Sequence, residues 1–356
     1  MELQPASTLP ISAEQAIAEA DQEIADAEKE VAAFSLNWLA TRSTVTIPAG
    51  SVDALADAME AAGPGGTVIL ASGEHTENNP IVIEKRIKIV GEEDAVLMFP
   101  NAPATMAIPM EMIPAIHVRN ANKVWLKDFS IATRSDGSRM GILIENSPNT
   151  RVEGLTIAGF QCGVFLDGGN RCQLIGNTMV GLFDTHPDGL SWGITNSTGL
   201  RTVIMRNEVS NYAVGLFFSD RRSLAFSNTF IGGLTGVLWC NVPEWQKYPD
   251  GTFISAAQPA NGCRAYYNSA IGNTFNYLVI DGAKSSVLIQ NESIAPAVYD
   301  IELANESERF GFHTPTSSNS LVISTGDFID YSIKDCTGDN TIIGGSLVDT
   351  ELDPCF

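Results

Sequence analysis

Basic residues are scarce in this chain of 356 residues: 21 Lys and Arg stand against 42 Asp and Glu, a formal net charge of −21. So acidic a chain repels phosphate backbones and anionic lipid, which argues against nucleic-acid and membrane-surface partners. A long polyanionic substrate would need cations concentrated locally. No apolar run reaches the roughly 18 residues a bilayer-spanning helix requires. The opening Met1-Glu2-Leu3-Gln4-Pro5 lacks the basic start and apolar stretch of a secretory signal. Two locations stay open: a secreted protein whose signal is absent from this sequence, which is the expectation, and a cytoplasmic one. Histidine is also rare, with four widely separated residues, and no Cys-x-x-Cys occurs, so no zinc pattern is present. Six cysteines permit three disulfides without requiring them. What is abundant is glycine, 31 residues, beside only 18% charged residues; that describes a turn-rich folded chain rather than a disordered one.

The first forty residues have a helical period. Ser12 with Gln15 has the form of a capping box, and Ile17, Ala20, Ile24, Ala27, Val31, Phe34 and Trp38 recur at three- and four-residue steps. This apolar stripe on an acidic helix is expected to pack on the domain, or to pair with a second copy in a short coiled coil. A second helix is expected over residues 52–62. Gly63-Pro64-Gly65-Gly66 then breaks the pattern, and short Val/Ile/Leu/Phe runs closed by Gly, Asn, Asp or Ser follow.

These runs repeat. Segments beginning at Gly141, Gly163, Gly193, Gly215 and Gly236 are followed by a second strand, then by an Asn (Asn177, Asn207, Asn228), then by a third strand. Three short strands per ~22 residues cannot form a stable isolated sheet, so each coil must stack on its neighbour at about 4.8 Å per coil. A side-chain amide can satisfy turn backbone groups and its stacked neighbours together, which explains the Asn column. Asn273 and Asn291 occur in similar contexts and are expected to continue it.

The segment Asp53 to Leu70, a cap helix leading into a first coil, and the Asn-turn coils resemble the pectin-lyase-like superfamily of right-handed parallel β-helices. The resemblance covers roughly residues 50 to 350. It implies an all-β solenoid over 49–356, preceded by an acidic helix and linker over 1–48. It does not settle activity, because the superfamily holds lyases, epimerases, hydrolases, tailspikes and non-enzymatic scaffolds.

One interval of the repeat is 30 residues long, which places an inserted loop between Val180 and Trp192 that carries Asp184, His186 and Asp188. Neighbouring turns bring Arg139, Gln161, Asn211 and Tyr212 beside it. Phe183-Asp184-Thr185-His186 is similar to part of the Tyr-Gly-Phe-Asp-Pro-His signature of mannuronan C5-epimerases, although Gly181 replaces the Tyr and Thr185 the Pro. That departure leaves the acid position of the signature to Tyr212; read from the residues, the pair suits proton abstraction from C5 of a uronic acid, with His186 as base, Tyr212 as acid and Arg139 neutralising the sugar carboxylate. Asp184 and Asp188 could instead be paired carboxylates of a hydrolase, or calcium ligands; no other cofactor is expected.

A second insertion lies between Cys240 and Cys263, contains Trp245, and suggests a disulfide-clasped loop or two reduced buried thiols. Arg221 and Arg222 occupy the matching turn one coil earlier. Between the two walls, the outward residues of the first strands read Leu143, Phe165, Thr195, Phe217 and Leu238, an apolar face. Phe165, Phe217 and Trp192 are candidate sugar-stacking residues. The N-terminal helix is expected to cover this face; a partner or an apolar ligand are the alternatives. His75, His117 and His313 are read as structural. The leading expectation is a polysaccharide lyase or C5-epimerase. A non-catalytic β-helix binding glycan or a protein partner is the alternative, and an enzyme acting on an apolar small molecule a third.

Overall fold

The computed structural model describes residues 12–36, 38, 43–100, 113–133, 139–182, 191–240, 260–280, 283–303, 320–324, 332–336 and 339–347. Helix α1, Ala13–Leu36, begins at Ser12, whose Oγ accepts the Gln15 N–H at 3.2 Å. Gln15 does not complete the capping box, because its side-chain amide donates to Glu19. Helix α2 is Leu55–Ala62, three residues shorter at its start than the pattern predicted. Asp53 is held at φ 50° by two hydrogen bonds from Asn78, a conformation that cannot be helical, and Val52 instead bridges to Thr76.

From Thr44 onward the chain winds through three parallel sheets, which the described residues populate with 11, 12 and 9 strands. The first sheet carries the glycine-led strands, such as Cys162–Asp167 and Val214–Phe218; the second carries strands such as Gln173–Ile175, and the third strands such as Thr178–Val180. Each strand pairs with its equivalent one coil away, so the molecule is an all-β solenoid. Ile142, Val164, Ile194, Leu216 and Val237 point inward and are fully buried in one continuous core.

Two columns explain the repeat. A Cβ placed on Gly141, Gly163, Gly193, Gly215 or Gly236 would lie only 2.5–2.7 Å from a carbonyl oxygen of the next coil. No other residue type lets adjacent coils approach so closely. The amide oxygens of Asn207, Asn228, Asn268 and Asn291 each accept both the backbone N–H and the side-chain N–H of the Asn one coil earlier, at 2.8–3.0 Å. The remaining amide proton goes to a second-sheet carbonyl, for example Asn228 to Ile204 at 2.9 Å. Asn291 belongs to the column as expected. Asn273 does not: it sits one turn further on and donates to Asn276 and to the Phe230 carbonyl, while Asn268 takes the ladder position.

Helix α1 covers the second sheet, not the first. Its Ala16, Ala20, Ala27 and Val31 form one buried cluster with Ile175, Met205, Phe226, Tyr266 and Ile289, so the stripe is unavailable for pairing with a second copy. The side groups around this contact are charge-matched. Glu23 accepts from Arg264 at 2.5 Å and from the Tyr266 hydroxyl at 2.9 Å, and Glu28 pairs with Arg206. At the other end, Arg151 donates to the Val31 carbonyl at 2.8 Å and lies over Phe34 and Trp125. The second-sheet face is outward and apolar, and its hydrophobic side chains leave water only because the helix stripe meets them.

Candidate functional site

The expected acid lies in the interior. Tyr212 follows Asn211, which takes the left-handed conformation (φ 60°) and turns the chain inward. Its ring packs in the central core beneath Gly163, Gly181 and Gly193, and its hydroxyl is buried without a hydrogen-bond partner. Burial pushes the phenol far above its ordinary value, with the Cys162 thiol adding to the effect. A proton held there cannot reach a sugar outside the coil, so the acid role falls away.

Asp184, His186, Asp188 and Trp245 lie outside the described residues. Arg139 opens a first-sheet strand opposite Ile113, and its side chain is likewise outside the described set. Gln161 is buried, and its carbonyl accepts the Trp192 N–H; Asn211 is half-buried and donates to the Gly181 carbonyl at 3.2 Å. Arg221 and Arg222 are exposed on the turn between the first and second sheets. Phe165, Trp192 and Phe217, the candidate sugar-stacking residues, are each at most 3% exposed. They pack with Met140, Cys162, Cys240 and Leu278 on the outer side of the first sheet. Parallel pairing at one-coil spacing brings these large side chains into mutual contact, and they offer no ring face to a ligand.

Cys240 and Cys263 do not clasp the second insertion: neither is disulfide-bonded, and the two thiols are buried in different clusters. Cys336 is disulfide-bonded.

The described part of the first-sheet face does carry a polar step nearer the N-terminal end. His117 stands opposite Leu143, and Arg119 opposite Glu145. The diagonal brings His117 Nε2 within 2.8 Å of the Glu145 carboxylate, with side chains 18% and 30% exposed. Arg119 reaches back to Glu84 at 2.5 Å, and Glu145 lies opposite Asp167, which accepts from the Thr198 hydroxyl at 2.7 Å. Such a pair can hold and pass a proton, since a carboxylate within hydrogen-bond distance fixes the imidazole's orientation. Sequence reading passed over it because both residues are ordinary in isolation. The signal was arithmetic: 28 residues separate them, one coil and a short diagonal.

A second cluster also escaped the sequence. Asp220, fully buried where the first sheet turns toward the second, accepts from Asn196 at 2.7 Å, from Ser223, and from the Cys263 thiol at 3.1 Å. Desolvation dominates over these donors and raises its carboxyl to about 7. The carboxyl is thus a buried acid held by side chains of the coil turns.

Among the described residues, no three His, Cys, Asp or Glu side chains converge to hold a metal ion. His75 Nε2 is 2.7 Å from the Ala71 carbonyl oxygen, and burial raises the thiols of Cys162 and Cys172, the latter to about 12. Met140, Met179 and Met205 lie in three different apolar clusters.

Three stacked parallel sheets, an internal Asn ladder and a polar step on the first-sheet face define a pectin-lyase-like right-handed parallel β-helix. The chain belongs to the NosD family, described as periplasmic copper-binding protein, whose model matches residues 72–276. No curated protein matches it in sequence. Among solved structures it is similar to a polygalacturonase from Erwinia carotovora ssp. carotovora, with 10% identity and TM-score 0.56 over 87% of this chain and 97% of that one. It is also similar to the mannuronan C-5 epimerase A-module of Azotobacter vinelandii, with 15% identity and TM-score 0.52 over 86% and 98%. The Streptococcus pneumoniae surface protein and adhesin PfbA gives 12% identity and TM-score 0.51 over 85% and 97%. Identities this low establish a common fold and leave activity to the site.

Proposed function

We propose that the protein acts on a polysaccharide lying along the first-sheet face, with the His117–Glu145 pair as its proton-transfer group. The observation that carries this reading is the 2.8 Å contact between an imidazole and a carboxylate that both remain open to solvent on an outward face. Glu145 would orient His117, while His117 accepts or returns a proton at a sugar carbon or glycosidic oxygen. Glu84, Glu145 and Asp167 outnumber the cations on this step, and the whole chain is acidic, so a neutral or amino-bearing glycan is favoured over a polyuronate.

The test is incubation with neutral, amino-bearing and uronic oligosaccharides, scoring unsaturated products by absorbance, new reducing ends, and epimerised residues by NMR. His117→Gln should abolish whichever product forms while leaving the circular dichroism spectrum unchanged. Full turnover by that variant would remove the assignment.

A second reading, a non-catalytic glycan-binding β-helix, is favoured by the burial of Tyr212, which leaves the expected epimerase pair without its acid. It predicts retention on immobilised glycan, weakened by Arg119→Ala, with no product of any kind. Copper binding, which the family description suggests, finds no convergent donor set among the described residues. The disulfide at Cys336 and that family description both support an extracytoplasmic location, which fractionation of the expressed protein would check.

A further inference from the structure

Among the described residues, no element packs over the outward face of the third sheet. Its strands present two parallel columns stepped by one coil. One reads Thr156, Thr178, Glu208, Thr229, Ser269 and Glu292, and the other Ala158, Val180, Ser210, Ile231, Ile271 and Ile294. Ten large hydrophobic side chains are exposed among the described residues. Five of them, Val180, Ile231, Leu234, Ile294 and Val298, lie on this face or on the turn leading from it. Isolated exposed apolar residues are ordinary, whereas a contiguous stripe marks an interaction surface.

We propose that this face pairs with the same face of a second copy in a weak, antiparallel, two-fold dimer. Charge selects the occupant. In a chain of net charge −21, two copies repel through most surfaces, but these two columns carry only Glu208 and Glu292, and Ser269 already donates to Glu292 at 2.6 Å. The register selects the orientation. An axis along the stack would lay the hydroxyl column of one copy on the aliphatic column of the other. An axis across the stack, passing between the Glu208 and Thr229 coils, keeps column on column: Val180 meets Ile271, Ile294 meets Ala158, Ile231 packs over Ser210, and Glu208 meets Thr229 rather than another glutamate. Six coils at about 4.8 Å and a width of two residues give a few hundred Å² per partner. That falls below the ~800 Å² per partner of a stable complex, so the dimer is reversible and concentration-dependent.

Sedimentation equilibrium of the full chain over a range of concentrations tests this. A monomer–dimer equilibrium is expected, strengthened by added salt as repulsion is screened. Ile231→Asp should weaken it at least tenfold, whereas Val82→Asp, an exposed apolar position on the first sheet, should leave it unchanged. Should Ile231→Asp lose its fold, Ile231→Thr serves in its place. In an oxidising buffer the double variant Val180→Cys/Ile271→Cys should form an intermolecular disulfide that neither single variant forms, since these positions lie three coils apart within one chain. A chain that stays monomeric throughout, a dimer indifferent to the residue 231 substitutions, or cross-linking by either single variant would overturn the proposal.

Discussion

The second and third sheets are built from strands of the same length and the same inward pattern, yet they meet water in opposite ways. On the second, Ile175, Met205, Phe226 and Ile289 are sealed beneath α1, with Arg264 and Arg151 answering its carboxylates and carbonyl. On the third, Val180, Ile231 and Ile294 stay open between hydroxyl-bearing neighbours. The difference teaches that a coil fixes only what faces the core. The outward set is decided by what lies over it, and each face then acquires a composition that its cover, or lack of one, tolerates.

Matched substitutions should separate the two faces, the largest effect coming from the sealed one. Met205→Asp places an uncompensated carboxylate under the helix and should destabilise by about 4 kcal/mol or more, read as a lowered denaturation midpoint. Next comes the buried acid between the first and second sheets. A carboxyl raised to about 7 in the folded chain, from 3.8 unfolded, stays protonated in the native state where the unfolded state has ionised. The stability it favours is therefore present at low pH and is lost as pH rises from about 4 through about 7. The loss is on the order of 4 kcal/mol at the quoted shift. Asp220→Asn should flatten that part of the pH profile, whatever it does to absolute stability. Asn228→Ala removes one rung of the ladder and leaves the Asn207 amide and backbone N–H without their acceptor, which should cost about 2–3 kcal/mol by chemical denaturation. Smallest of all, Ile231→Asp on the open face should change monomer stability by less than about 0.5 kcal/mol. A large loss there would mean that the third face is covered after all.

The fold was legible because its two constraints act at short range. A glycine that must admit a neighbouring carbonyl and an asparagine that must bridge two coils recur at the coil length, so Gly163, Gly193, Asn207 and Asn228 announce the stack. Where an insertion stretches one coil, the rhythm fails, and Asn268 was passed over for Asn273. The apolar stripe of α1 required a surface, but nothing in the stripe distinguishes one apolar face from another, and the second sheet rather than the first receives it. Tyr212 was misplaced for a related reason. Offset along the chain brings it beside the inserted loop, but direction depends on the left-handed turn at Asn211, which the sequence does not spell. His117 and Glu145 do not stand out as a pair because the glycine-led repeat begins at Gly141, one coil after the strand that carries His117.

The helix over the second sheet also sets a rule of proportion. It advances about 1.5 Å per residue, and the stack about 4.8 Å per coil, so each coil is matched by roughly three residues of helix. Glu23 reaches the Arg264 coil, Glu28 the Arg206 coil and Val31 the Arg151 coil, running against the direction of winding, with the long arginine side chains making up the difference in rise. A coil gained or lost beneath the helix would slide every later contact out of phase unless about three helical residues changed with it. The strap is thus a gauge: it ties the permitted number of coils to its own length, in a fold whose repeats would otherwise tolerate any number.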